Sequence, residues 1–149
     1  MLTQRVAHLD SLAKRLGTDV DHLFILHGGL TPKQRVEALD ALKSAPDEAR
    51  RVILATGSFI GEGFDDARLD TLFLAMPISW KGTLIQYTGR LHRYHPDKRE
   101  VRIYDYVDSH VPVLQRMFEK RLVGYRSTLE GAGRSGPVGP AEACWPGLT

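Results

Sequence analysis

Two short apolar runs do most to restrict what this chain can become. Arg51–Thr56 is unbroken apolar at its centre, Val52-Ile53-Leu54-Ala55, and Leu72–Met76 repeats that character. Strands apolar on consecutive residues need cover on both faces, whereas strands that face water alternate. Around these runs the periodicity is helical. Val6, Leu9, Leu12, Ala13 and Leu16 share one helical face, with Thr3 as the expected N-cap and Gly17 as the stop. His22–His27 is a further short strand. Thr31-Pro32 sets a capping hydroxyl before a proline at the first helical position and opens a helix to about Ser44. Thr83–His95 reads as a helix ended by Pro96, Glu100–Val107 as an alternating strand, and Val111–Arg126 as a closing amphipathic helix. Strands and helices in alternation predict an α/β domain, a parallel sheet with helices on both faces. Such sheets bind ligands beyond the carboxyl ends of their strands. The segments that leave those ends are therefore the candidates for function.

Composition bounds the partners. The 149 residues suit one domain, and 42% hydrophobic content supplies a core. Lys plus Arg number 20 against 18 for Asp plus Glu, a formal charge of +2 that excludes a polybasic tail. The domain is expected over 1–126. Residues 127–149 are Gly/Pro-rich without periodicity and are expected to stay disordered, because they cannot offset their own ordering entropy. The longest apolar run, Leu72–Met76, falls far short of the roughly 20 residues that span a bilayer. Met1-Leu2-Thr3-Gln4-Arg5 leads into an amphipathic pattern without the continuous apolar stretch of a signal peptide. The single Cys144 excludes an internal disulfide or a cysteine zinc site. These readings predict a reduced, soluble, cytoplasmic chain with no membrane partner.

Three unusual segments leave strands toward the same edge. Leu26-His27-Gly28-Gly29 allows either a plain turn or a close backbone approach to phosphate. Thr56-Gly57 through Gly61-Glu62-Gly63-Phe64-Asp65 reads as a loop, either a connection or a cradle for phosphate, ribose hydroxyls or a metal-bound water. Gln86, Arg90 and Arg93 stand at i, i+4 and i+7, one face of a helix of about 3.6 residues per turn, while Leu84, Thr88 and Leu91 take the opposite one. Two planar cations one turn apart suit bidentate capture of phosphate oxygens. Gly89 on the polar side weakens the helix by roughly 0.5–1 kcal/mol, which suggests that another backbone or phosphate approaches there.

Other signals are weaker. No G-x-x-x-x-G-K-[ST] occurs, so the sequence carries no P-loop. Asp47-Glu48-Ala49-Arg50 resembles an acidic magnesium-binding box but precedes its apolar strand, and reads as a helix end and loop. His92 and His95 have metal-ligand spacing, yet Arg93 between them and Pro96 after them argue against a metal site.

These residues resemble the second RecA-like domain of superfamily-2 helicases, in the branch of type III restriction and excision-repair enzymes. Gln86-x-x-Gly89-Arg90-x-x-Arg93 matches motif VI, Q-x-x-G-R-x-x-R. Thr56 through Gly63-Phe64-Asp65 resembles motif V, and Leu26-His27-Gly28-Gly29 with Arg35 resembles motif IVa, with Pro32 in place of a common glutamine. Thr3-Gln4-Arg5 looks like the end of motif IV, whose strand would lie ahead of Met1 and is expected to be missing. The resemblance implies a RecA-like three-layer sandwich. It makes Arg90 and Arg93 arginine-finger candidates, and it assigns nucleotide contacts to Gln86, Gly63, Asp65 and Gly89. Nucleic-acid backbone contacts fall to His27, Gly28, Arg35, Thr56 and Gly57. It further implies ATP and Mg2+, held mainly by a first RecA-like P-loop domain in cis or trans, and nucleic acid as partner, DNA in preference to RNA. The chain is then expected to be a fragment or split gene product, inactive as an ATPase by itself. Two other readings remain: a non-catalytic nucleic-acid-binding or regulatory module of the same fold, and a phosphate-ester hydrolase using Glu62, Asp65 and histidines.

Overall fold

Parallel strands need crossover connections, and the direction of each crossover decides which face its helix covers. The computed structural model describes residues 1–61, 64–78 and 82–131. In chain order they form β1 (Leu2–Thr3), α1 (Val6–Leu16), β2 (His22–Leu26), α2 (Pro32–Ser44), β3 (Arg51–Thr56), α3 (Gly57–Gly61), β4 (Thr71–Leu74), α4 (Gly82–Leu91), β5 (Arg102–Asp105) and α5 (Pro112–Gly131). The strands lie in the order β2-β3-β1-β4-β5, and every pairing is parallel. From β1 the chain crosses one way to β2, and every later connection runs the other way. Right-handed crossovers therefore set α1 on one face and α2, α3 and α4 on the opposite one. α5 returns against α4. The expected α/β sandwich is present.

The core sits where the two apolar runs lie. Ile53, Leu54 and Ala55 of β3 and Leu72 and Leu74 of β4 are buried, covered by Leu9 from α1 and by Leu42, Phe59, Tyr87 and Leu91 from the helices of the other face. Each large aliphatic side chain so buried contributes roughly 1.5–3 kcal/mol. Among the described residues no helix is long and apolar enough to cross a membrane.

Several boundaries differ from expectation. The strand ahead of Gln4 is not missing altogether: Leu2 and Thr3 form β1 in the middle of the sheet, paired to β3 and β4. Thr3 is consequently no N-cap. Its hydroxyl bonds His8 Nδ1 at 2.7 Å, and Arg5 occupies the N-cap of α1 without a side-chain bond. The glycine-rich stretch after β3 opens with the short helix α3 rather than a loop. α4 ends at Leu91 instead of His95, because the Lys98 ammonium donates to the carbonyls of Leu91 and Arg93 at 2.8 Å each. α5 continues to Gly131, past the expected end at Arg126. Glu62, Gly63 and the tail from 132 onward lie outside the described residues.

Candidate functional site

The carboxyl ends of the strands converge as expected, and the junction of β3 and α3 is the tightest point. Thr56 is buried, its hydroxyl 3.3 Å from that of Ser58. A methyl group on Gly57 would stand 2.6 Å from the Tyr87 hydroxyl and 2.8 Å from Met76 Cε, so a larger residue there has to displace those two side chains. The Tyr87 hydroxyl donates to the Gly57 carbonyl at 2.8 Å and ties α4 to this turn. Burial pushes the Tyr87 phenol above its ordinary value, against the opposing pull of Arg90, and keeps it a neutral donor. Gln4, Thr56, Ser58, Met76, Pro77 and Tyr87 line a hollow of about 410 Å³ here.

α4 divides as its spacing predicts. Thr88 and Leu91 are buried toward the sheet, joined by Tyr87, while Gln86 and Gly89 are exposed. Arg93 departs from the expected helical face, because it lies in the turn after Leu91 with its N–H on the Arg90 carbonyl at 3.3 Å. Both arginines still reach one short segment. The Arg90 guanidinium donates to the Phe64 carbonyl, and Arg93 Nη1 lies 2.6 Å from Asp65 Oδ2. The latter side chains are 58% and 39% exposed, so water screens the pair and it holds by no more than about 1 kcal/mol. Such a pair opens readily when another anion arrives.

The glycine turn after β2 is a neighbour of this site rather than part of the hollow. Gly29 N–H donates to His27 Nδ1 at 3.1 Å. The Arg35 guanidinium stacks over the Phe59 ring at 4.6 Å, joining α2 to α3. Methyl groups on Gly28 or Gly89 would meet no other part of the described residues within 4 Å, so packing among those residues demands neither glycine. Among the described residues no group of three His, Cys, Asp or Glu is placed to hold a metal ion. Asp47 lies in the connection between α2 and β3 and pairs with Arg68 at 3.1 Å.

Sequence reasoning missed two contributors. Tyr87 sits between the motif residues and carries a signal in hindsight, an aromatic ring next to the apolar stripe of α4. The other is a buried group at the end of β5. Asp105 accepts from Arg121 Nε at 2.6 Å, from Arg121 Nη2 at 2.8 Å and from the Tyr125 hydroxyl at 2.9 Å. Arg121 Nη1 donates to the Ile78 carbonyl at 3.1 Å. An arginine on an amphipathic helix gives no signal that it is buried.

A parallel sheet of this order, with the β3–α3 turn and the start of α4 at its carboxyl edge, defines a RecA-like domain. The crystal structure of the C-terminal part of the Fun30 ATPase domain superposes on 80% of the chain and 37% of its own, with a TM-score of 0.64 at 17% identity. Residues 1–95 match the helicase conserved C-terminal domain, and the chain belongs to that family. It is 34% identical over 96 residues to "Uncharacterized protein 108L" of Invertebrate iridescent virus 3, covering 63% of this chain and 86% of that protein. It is 30% identical over 133 residues to "Putative helicase 161L" of Invertebrate iridescent virus 6, covering 85% of this chain. The chain spans only 29% of the length of that relative.

Proposed function

We propose that this domain is the second half of an ATP-dependent nucleic-acid helicase or translocase and faces a P-loop domain in cis or trans. The exposed Arg93–Asp65 pair carries the reading. It keeps a guanidinium on the surface in the turn after α4, held by a bond weak enough to exchange. Arg90, on the adjoining carbonyl of Phe64, holds the segment that presents Asp65. The donor set fits a nucleotide in the facing cleft: Arg93 toward its phosphates, the Asp65 carboxylate toward ribose hydroxyls, Gln86 beside them on the exposed face of α4. ATP supplies the phosphoryl group to be transferred, and the facing domain brings the magnesium and the P-loop lysine. Arg93 then stabilises charge that grows in the transition state. Thr56, Gly57, His27, Gly28 and Arg35 form the nucleic-acid side, through phosphate contacts that carry no base sequence.

The test is a two-domain protein in which this chain is joined to a P-loop domain. Arg93→Ala should lower kcat about 10³–10⁵-fold while ATP binding weakens far less. Arg93→Lys should not restore it, since a point charge cannot replace a planar fork. Turnover of Arg93→Ala within a few-fold of the parent would reduce that face to a solvated basic surface and end the proposal.

A further inference from the structure

Lys98 does more at the end of α4 than stop a helix. His92 N–H still takes the Thr88 carbonyl at 3.0 Å, with the four-residue spacing of an α-helix. Arg93 N–H instead takes the Arg90 carbonyl, three residues back, at 3.3 Å, and the helix closes. Had α4 run on, the Leu91 carbonyl would accept from His95 N–H and the Arg93 carbonyl from Asp97 N–H. Both carbonyls are taken by the Lys98 ammonium, at 2.8 Å each. Asp97 N–H turns to His95 Nδ1 at 3.4 Å, and Lys98 N–H to the His95 carbonyl at 3.1 Å. A cation on terminal carbonyls is favoured by charge-assisted bonds and by the helix dipole.

The same contacts pin Arg93. Its N–H is held by Arg90 and its carbonyl by Lys98, so neither polar group of its backbone is left loose. What remains to move is the side chain, whose Nη1 lies 2.6 Å from Asp65 Oδ2. Arg90 fixes the other side of that contact through the Phe64 carbonyl. Packing does not account for the shape of the turn. Tyr94 at its tip is 86% exposed, and Arg93, Pro96 and Asp97 are exposed with it. The ammonium meanwhile gives up water: burial pushes Lys98 below its ordinary value, against the opposing pull of Asp70 and Asp66. A half-buried cation is thus committed to the backbone of a turn that covers little, and what it fixes is the place of Arg93.

We infer that Lys98 is a positioning residue for Arg93: its ammonium keeps residues 92–95 out of the helix and so sets where the Arg93 guanidinium stands. For turnover this rests on the motor reading, in which Arg93 meets the nucleotide phosphates. Lys98 itself touches neither nucleotide nor nucleic acid. A group that stabilises a transition state has to be held within about 0.5 Å of its productive place. A misplacement of roughly 1 Å costs about 10²-fold in rate. Without Lys98 the helix is free to run on toward Pro96, and the Arg93 side chain is carried round with its backbone, away from Asp65.

Two measurements separate this role from the motor reading it builds on. In the 149-residue chain, the NMR resonance of Arg93 Nε–Hε reports the order of the guanidinium without any turnover. It should be ordered in the parent and motionally averaged in Lys98→Met, where residues 92–95 should take helical backbone shifts. In the two-domain protein, Lys98→Met should lower kcat about 10–100-fold while KM for ATP stays within about threefold. Added to Arg93→Ala, Lys98→Met should cost nothing further, because it acts through the guanidinium already removed. Lys98→Arg, which keeps a cation with several donors, should hold kcat within a few-fold of the parent. Unchanged Arg93 order in Lys98→Met, or an equal loss of kcat with and without Arg93, would overturn the inference. Insensitivity of turnover to Arg93→Ala would end the motor reading instead, and the Arg93 resonance of the single chain would still decide about Lys98. Should Lys98→Met fail to fold, Lys98→Gln, with a neutral donor on a shorter stem, is read in the same way.

Discussion

Arg121 shows how far one side chain can organise this domain. It is 2% exposed and engages both Asp105 oxygens in the fork geometry that only a guanidinium provides. Its third nitrogen holds the Ile78 carbonyl, so α5, β5 and the segment after β4 meet on one residue. Burial first, and then the Asp105 carboxylate, push the Tyr125 hydroxyl far above its ordinary range, so it remains a donor to that carboxylate. Removing one partner leaves a buried charge uncompensated, the costly way to break such a pair. Arg121→Met should therefore lower the unfolding free energy by about 3–5 kcal/mol in urea denaturation. Arg121→Lys should recover only a small part of that loss. A change below about 1 kcal/mol for the methionine variant would mean that water reaches Asp105. Lys120 and Leu122 flank Arg121 in the chain, and nothing in that local pattern separates it from a solvated arginine.

Among the elements, α2 is the one whose start is written most plainly in the sequence. Thr31 Oγ1 accepts from Gln34 N–H at 3.3 Å, and Gln34 Oε1 accepts from Thr31 N–H at 2.9 Å, a complete capping box with Pro32 at the first helical position. The other end is closed by a residue far along the chain. Arg68 donates to the carbonyls of Leu42 at 2.9 Å and Ala45 at 3.0 Å, while Asp66 grips the same guanidinium. Burial works to raise the Asp66 carboxyl, but the bonds from Arg68 outweigh it and hold that carboxyl below its ordinary value. Thr31→Ala should cost about 1 kcal/mol, within a range of roughly 0.5–2, because it unmakes the local cap alone. Chemical denaturation with an unchanged slope would check this. A loss well above that range would show that the β2–α2 turn depends on Thr31 too. The N-terminal cap was legible because its partners are three residues apart. The C-terminal one was not, because Arg68 arrives through the fold.

For the molecule as a whole, the sheet centre couples folding to protonation. Folding carries the Met1 amine into the sheet, and burial drives it from about 8 down to about 5. Between those values the unfolded chain binds a proton that the folded chain does not, so stability rises with pH across that window. Below pH 5 the full penalty applies, on the order of 4 kcal/mol for a shift of this size. Urea midpoints should climb from pH 5 to pH 8, and N-terminal acetylation should remove that climb while leaving the contributions of other groups. Equal pH profiles for the free and acetylated chains would show that the amine stays in water.

The alternation of strands and helices, the buried character of Ile53–Ala55 and the start of α2 could all be read directly from residue order. So could the polar and apolar sides of α4, since each depends on spacing within a few residues. The motif residues Gln86, Gly89 and Arg90 were legible for the same reason. Arg93 was expected at the carboxyl edge on the face of α4, but Lys98 stops the helix before it, in the turn that leads the chain back to the amino ends of the strands. Contacts across the fold were beyond reach. Tyr87 meets Gly57 across 30 positions and Met1 meets Ile53 across 52. Burial and partnership depend on which strands become neighbours, and the order β2-β3-β1-β4-β5 follows from crossovers that no local pattern encodes.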